Sequence, residues 1–298
     1  MSNNSININY LSDTNILDIK RDDLLHPHIS GNKFRKLKFT ILEAKKIEAK
    51  TLLTFGGAFS NHIAAVAAAG KIHSFNTIGV IRGEELVSKV NNNPTLSYAK
   101  AQGMQLFFVS REQYKDKESP EFINLLHQKF GEFYNIPEGG TNDLAVQGCA
   151  GILTPQDLSY DYVCVSVGTG GTIAGIVTSA APHQHVLGFS ALKGTFQKEI
   201  ISKYSENKNF TLIDDYCFGG YAKIDLKLIR FINEFKENHN ISLDPVYTGK
   251  LFYGIFDLLK NGYFRENSRI LAVHTGGLQG IAGMNEKLKK KNLPTINV

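Results

Sequence analysis

Short, almost wholly apolar runs alternate along the chain with longer segments whose apolar positions recur every three or four residues. Ile16-Leu17-Asp18-Ile19-Lys20 alternates as a short strand does. Residues 51–55, 77–81 and Gln105–Val109 are compact runs of strand length, and 34–49, 62–70, 94–103 and 120–130 carry helical spacing. Pro94 and Pro120 sit where a first helical turn tolerates proline. The polar stretch Pro137-Glu138-Gly139-Gly140-Thr141-Asn142 breaks this rhythm as a loop between two halves would. A second series follows, with strands at Tyr162–Val167, 185–189, Phe210–Ile213 and Arg269–Val273 and helices at 172–180, 196–204, 224–239 and 249–261. Strand–helix alternation predicts parallel sheets with crossover helices. Two such series predict an α/β protein of two doubly wound open-sheet lobes with a ligand between them.

Composition narrows the picture slightly. At 42% hydrophobic and 20% charged residues the 298-residue chain reads as folded and large enough for two domains. The net charge of +5 is scattered except at Lys287-Leu288-Lys289-Lys290-Lys291, which reads as a solvated helix end rather than a nucleic-acid patch. Cys149, Cys164 and Cys217 are odd in number and lack metal-ligand spacing, which points to a reducing compartment without disulfides or zinc. Cys164, inside an apolar run, reads as a buried inert thiol. The start Met1-Ser2-Asn3-Asn4-Ser5 has no signal-peptide pattern. Residues 162–182 lack charge but are broken by Gly168-Thr169-Gly170-Gly171-Thr172, so strand, loop and buried helix are expected instead of a membrane span. The expected setting is cytoplasmic, with neither nucleic acid nor membrane as a partner.

The chemistry gathers in loops that follow predicted strands, where open α/β sheets bind ligands. Ser30-Gly31-Asn32-Lys33-Phe34-Arg35-Lys36-Leu37 puts two lysines at i and i+3 on one helix face just after a tight-turn pair. One amine could bond a carbonyl while the other faces a phosphate; a solvated basic helix start is the plain alternative. Ser166 to Thr172 follows a strand and opens a helix, so its glycines and first-turn amides suit an anion. It matches neither dinucleotide nor P-loop spacing, leaving a single phosphate or simply a tight turn. Ser60-Asn61-His62 also opens a helix after a strand. Ser60 could be only its N-cap, or the three could bind a carboxylate and a ring hydroxyl. Tyr247, between Asp244-Pro245 and Gly249, reads as a loop phenol able to reach a ligand.

Taken together, S-G-N-K-F-R-K-L (30–37), S-N-H (60–62), G-T-G-G-T (168–172), D-P-V-Y-T-G-K (244–250) and H-T-G-G (274–277) resemble the 1-aminocyclopropane-1-carboxylate deaminase/D-cysteine desulfhydrase family. These are pyridoxal-phosphate enzymes of the tryptophan synthase β-like fold, fold type II, and the motifs stand in the family's order across nearly the whole chain. The resemblance implies pyridoxal 5'-phosphate as cofactor and a larger cofactor-binding lobe of residues 1–38 plus 147–298, with 39–146 as the smaller lobe. It implies Lys33 as the lysine that carries the cofactor and Lys36 as a phosphate partner. Ser166, Val167, Gly168, Thr169, Gly170, Gly171 and Thr172 become the phosphate cradle, and Ser60 and Asn61 contact substrate carboxylate and cofactor hydroxyl. His62, Tyr221 and Tyr247 join the substrate site, with Ser60 and Tyr247 also catalytic. A homodimer acting on a small amino acid is expected.

Two positions speak to the reaction. Where the family's deaminases carry Glu after the active-site tyrosine and Leu in the later loop, this chain has Thr248 and Thr275. Hydroxyls can bond a neutral pyridine nitrogen but supply no charge to hold a proton there. That resembles the D-cysteine desulfhydrases and implies elimination of D-cysteine to pyruvate, sulfide and ammonia. Cyclopropane deamination is the alternative within the family. A phosphate or nucleotide binder without chemistry, or a structural oligomer, are the alternatives outside it.

Overall fold

Each expected strand is present in the computed structural model, which describes residues 3–298, but the strands divide between two separate sheets. In chain order they are β1 (Asn4–Ile6), β2 (Ile16–Lys20), β3 (Thr51–Gly56), β4 (Asn76–Arg82), β5 (Gln105–Val109), β6 (Tyr134–Ile136), β7 (Tyr162–Val167), β8 (His185–Ser190), β9 (Phe210–Ile213) and β10 (Arg269–Val273). The helices are α1 (Asn32–Lys46), α2 (Asn61–His73), α3 (Pro94–Ala101), α4 (Pro120–Phe130), α5 (Asp143–Ala150), α6 (Gly171–Ser179), α7 (Gln197–Tyr204), α8 (Leu226–His239), α9 (Thr248–Lys260) and α10 (Gly280–Lys289).

One sheet has the order β1-β2-β10-β7-β8-β9 and the other β5-β4-β3-β6. All pairings are parallel except β1 with β2. Parallel strands covered by helices on both faces must be apolar on both, and all six residues of β7 are buried accordingly. The chargeless stretch from Tyr162 resolves into β7, a glycine turn and the nine-residue α6. No helix among the described residues is long and apolar enough to cross a membrane. Cys164 is wholly buried in β7, where burial pushes its thiol up.

Four elements escape the apolar pattern. β1 and β6 have three residues each, too few to show alternation. β6 closes the edge of the smaller sheet, so the break in the rhythm begins after it, at a short 3-10 turn over Glu138–Gly140. Glycines mask α5 and α10, because glycine is a poor helix former. In α5 the glycine serves a crossing: a Cβ on Gly148 would lie 2.1 Å from the Arg35 carbonyl oxygen of α1. Gly175 of α6 meets α5 as closely, at 2.6 Å from Cys149 Cβ and the Val146 carbonyl. The three helices therefore pack backbone to backbone behind the lysines of α1. The lysine run expected as a helix end is the last turn of α10 and the residues after it.

Candidate active site

The loops after β3, β6, β7 and β10, with the start of α9, surround a cavity of about 680 Å³. All the site residues expected from the sequence line it except Gly171 and Thr248. Its geometry starts at Gly31, the residue before α1, which has φ +58°, a backbone that only glycine adopts freely. A Cβ there would sit 1.9 Å from the Thr275 carbonyl oxygen, which instead accepts the Asn32 amide at 3.2 Å. The β10 loop thus fixes where α1 begins and which way its first turn faces.

That first turn aims Lys33 and Lys36 at one acceptor. Their amines lie 3.3 and 2.9 Å from the Gly139 carbonyl, and Lys36 also donates to the Thr141 hydroxyl at 2.9 Å. Burial, and then the neighbouring Lys36, push the Lys33 amine well below the ordinary lysine range. Burial lowers Lys36 to about 8. Lys33 is therefore pushed toward its uncharged form more strongly than Lys36, which at about 8 stays largely charged near neutral pH. Thr141 and Thr169 hydroxyls lie 2.6 Å apart, and Asn32 donates to Thr172 at 2.8 Å, so lysine turn and glycine loop form one connected unit. Gly170 precedes α6 with φ +90°, which turns the chain so that the first-turn amides of α6 face the cavity. Gly171 is set back: its Cβ would stand 2.8 Å from Thr141 and 3.2 Å from the Lys36 amine.

Across the cavity, Ser60 caps α2 by accepting the Ile63 amide at 3.3 Å, and as the N-cap it also lines the cavity. Asn61 Oδ1 is buried without a partner. His62 is buried, with Nε2 2.8 Å from the Thr54 hydroxyl, whose proton goes to the Ile136 carbonyl at 2.9 Å. Nε2 therefore donates, which leaves Nδ1 as the ring's acceptor, with no hydrogen-bond donor to it among the described residues. Burial, then Lys33 and Lys36, push His62 well below its ordinary value, which keeps the ring neutral.

The closed end differs from expectation at Thr248. Its side chain is wholly buried and donates to Asp244 Oδ1 at 2.8 Å while accepting the Asp244 amide at 2.8 Å. It has no hydroxyl to spare for a ring nitrogen, because a carboxylate four residues before the start of α9 needs donors. Asp244, a cavity residue that opens the 244–250 motif but was given no role in the site, also takes the amides of Val246 at 2.8 Å, Tyr247 at 3.0 Å and Thr248 at 2.7 Å. Burial pushes its carboxyl up, against the pull of these donors. Beside Asp244, the hydroxyls of Thr275 and Ser166 line the cavity instead, 3.1 Å apart.

Tyr247 and Tyr221 meet edge to face, with ring centroids 6.2 Å apart. Burial, then Tyr221 and Asp244, raise the Tyr247 phenol well above its ordinary value, so it remains a proton donor. Tyr221 is half exposed at the rim. Its loop is held from below by Lys250, a buried lysine whose amine donates to the carbonyls of Cys217 at 2.7 Å and Gly220 at 2.8 Å. The mouth adds Arg82, Arg111, Phe59 and Lys287, none of which belongs to a short motif.

Comparison with known proteins agrees with this geometry. A family model described as "Pyridoxal-phosphate dependent enzyme" matches residues 6–276. A "Putative 1-aminocyclopropane-1-carboxylate deaminase" of Thermotoga maritima is 33% identical, covering 91% of this chain and 91% of its own length. The Arabidopsis thaliana "Bifunctional D-cysteine desulfhydrase/1-aminocyclopropane-1-carboxylate deaminase, mitochondrial" is 30% identical over 88% of this chain and 72% of its own. A crystal structure titled as an "ACC deaminase homologue" superposes with TM-score 0.82 at 28% identity, covering 97% of this chain and 93% of that one. The cavity fits the cofactor this family uses. It holds a buried amine pushed toward its uncharged form, a second buried cation beside a helix start, and an amide oxygen and an imidazole nitrogen that lack partners among the described residues.

Proposed function

This chain belongs to the pyridoxal-phosphate dependent enzymes, and from that premise we propose that it is a lyase that eliminates sulfide from D-cysteine, giving pyruvate and ammonia. The observation that carries this reading is the closed end of the cavity. Ser166 and Thr275 offer neutral hydroxyls there, while the one carboxylate, Asp244, is committed to the start of α9 by four hydrogen bonds. Such a floor offers a pyridine nitrogen hydroxyls rather than an uncommitted carboxylate, and hydroxyls do little to hold a proton there. It suits a reaction whose leaving group departs easily.

Pyridoxal phosphate, when bound, accepts the electron pair left at Cα of an amino acid. In this reading Lys33 carries the cofactor, Asn61 meets its ring hydroxyl, and Lys36 with the 168–172 loop holds its phosphate. The opening amides of α2, with Ser60, hold the substrate carboxylate. The Lys33 amine, pushed toward its uncharged form by burial, takes the Cα proton once displaced by substrate. The Cβ–S bond then breaks, sulfur leaves with the electron pair, and the Tyr247 phenol protonates it; water completes pyruvate and ammonia. Thr275 and Ser166 take the ring-nitrogen role expected of Thr248.

The relatives' names support a second reading equally, ring opening of 1-aminocyclopropane-1-carboxylate to 2-oxobutanoate and ammonia: the Thermotoga relative is named for that activity and the Arabidopsis one for both. That substrate has no α-proton, so it needs a nucleophile or proton shift at the ring and a stronger electron sink than two hydroxyls supply. Parallel assays of sulfide, pyruvate and 2-oxobutanoate from D-cysteine, L-cysteine and the cyclopropane separate the two. Sulfide and pyruvate from D-cysteine are expected. Production of 2-oxobutanoate alone would overturn the elimination reading in favour of the second.

A further inference from the structure

Two cations at the cavity mouth have no use in the reaction as proposed. Arg82 ends β4, and its Nη2 atom lies 3.6 Å from where a side chain on Gly57 would begin. Its guanidinium stands 5.7 Å from the Tyr114 ring centroid and forms no salt bridge among the described residues. Lys287 of α10 is likewise without a carboxylate, its amine 4.4 Å from the Phe59 ring centroid. The carboxylates nearby are taken: Glu85 by Arg111 at 2.6 Å, and Glu138 by Lys117 at 3.3 Å. The mouth therefore carries uncompensated positive charge. An amino acid bound as proposed has already placed its amine at Lys33 and its carboxylate at the start of α2, so neither end reaches the mouth cations.

We infer that the mouth reads a second negative charge, one on the substrate's own side chain. Amino acids with an anionic leaving group at Cβ, such as the phosphate or sulfate ester of serine, fit it better than neutral analogues. Elimination balances as for cysteine: the Cα proton leaves to Lys33, the Cβ–O bond breaks, and phosphate or sulfate departs with the electron pair. Water then yields pyruvate and ammonia. An arginine suits this task because its planar guanidinium pairs two donors with two ester oxygens. Both cations are solvent-exposed, so the preference is modest and weakens with salt.

This inference rests on the lyase reading, so its test uses binding as well as turnover. The holoenzyme is titrated with serine and with O-phosphoserine, each as both enantiomers, and the change in cofactor absorbance gives dissociation constants at low and high salt. O-phosphoserine of the accepted hand is expected to bind about tenfold tighter than serine at low salt, with the ratio shrinking at high salt. The ratio should collapse toward one in Arg82→Gln and recover in part in Arg82→Lys. Should Arg82→Gln fold poorly, Lys287→Gln supplies the same comparison with a smaller loss. A ratio near one in the parent, or one unmoved by both variants, overturns the inference. Charge-selective binding without pyruvate release would leave the mouth standing and remove the lyase reading. Turnover of neutral β-chloroalanine without charge selectivity would do the reverse.

Discussion

At the closed end of the cavity, polar groups answer one another: Ser166 meets Thr275, Thr248 and three amides meet Asp244, and Lys36 meets Thr141 and Gly139. At the mouth, Arg82 and Lys287 are exposed and form no salt bridge among the described residues. The difference is one of preorganisation. Buried groups with fixed partners hold geometry before any ligand arrives, which is what positioning a reactive atom requires. Exposed, unpaired charges cost little to keep and act through field and rim contact, which tunes preference more than rate. Substitutions at the closed end should therefore change whether the site works, and substitutions at the mouth which molecule it prefers.

The largest expected effect tests the cost of that preorganisation. Burial holds Lys36 down to about 8, so its charge is unfavourable until a phosphate joins it. Lys36→Met should weaken cofactor binding by roughly 10²–10³-fold, as expected for loss of a buried charge-assisted contact. The cofactor-free variant should melt no lower than the cofactor-free parent. A clear fall in that melting temperature with cofactor affinity intact would make Lys36 a structural lysine. Next in size is Thr275→Val, which keeps shape and removes the floor hydroxyl. Elimination should lose about 10–100-fold in kcat/KM, with a stability loss of about 1 kcal/mol from the orphaned Ser166. An unchanged kcat/KM would move the ring-nitrogen contact elsewhere.

The pH dependence follows from the same lysine. A bound phosphate favours the protonated amine, so above about pH 8 binding must take up a proton that the free protein has released. Cofactor affinity should hold steady below that pH and fall as pH rises through it, by up to about tenfold per unit. Equilibrium dialysis from pH 7 to 10 measures this, and a flat profile would contradict the role given to Lys36. The smallest effect belongs to the mouth side. Lys250→Met frees the loop whose carbonyls at Cys217 and Gly220 it holds, and Tyr221 rides on that loop. KM should rise several-fold with little change in kcat, since a rim contact is loosened while the floor stays intact. Equal losses in kcat and kcat/KM would place Tyr221 in the chemistry itself.

Much of the closed end was legible in the sequence because its parts are local. A lysine pair at i and i+3, a Ser–Asn–His helix start and a glycine turn after a strand each announce their geometry within a few residues. The parallel strands were legible for a related reason: both faces are buried, so runs such as Tyr162–Val167 are apolar throughout. What the pattern missed depends on contacts between distant segments. Thr248 reads as a ligand hydroxyl until Asp244, four residues back, is seen to need it. Gly148 looks like a helix breaker until the Arg35 carbonyl is found where its side chain would be. Arg82 ends β4, Arg111 lies two residues past the neighbouring strand β5 and Lys287 sits in the last turn of α10, and nothing in their immediate neighbours marks them.

The division of labour between Lys33 and Lys36 underlies both the floor and the mechanism. Borohydride reduction of the holoenzyme followed by peptide mass spectrometry reads it directly. The cavity-facing amine of Lys33 should carry the pyridoxyl group, with Lys36 unmodified and the yellow absorbance lost on reduction. A pyridoxyl group on Lys36, or on no lysine, would contradict the account.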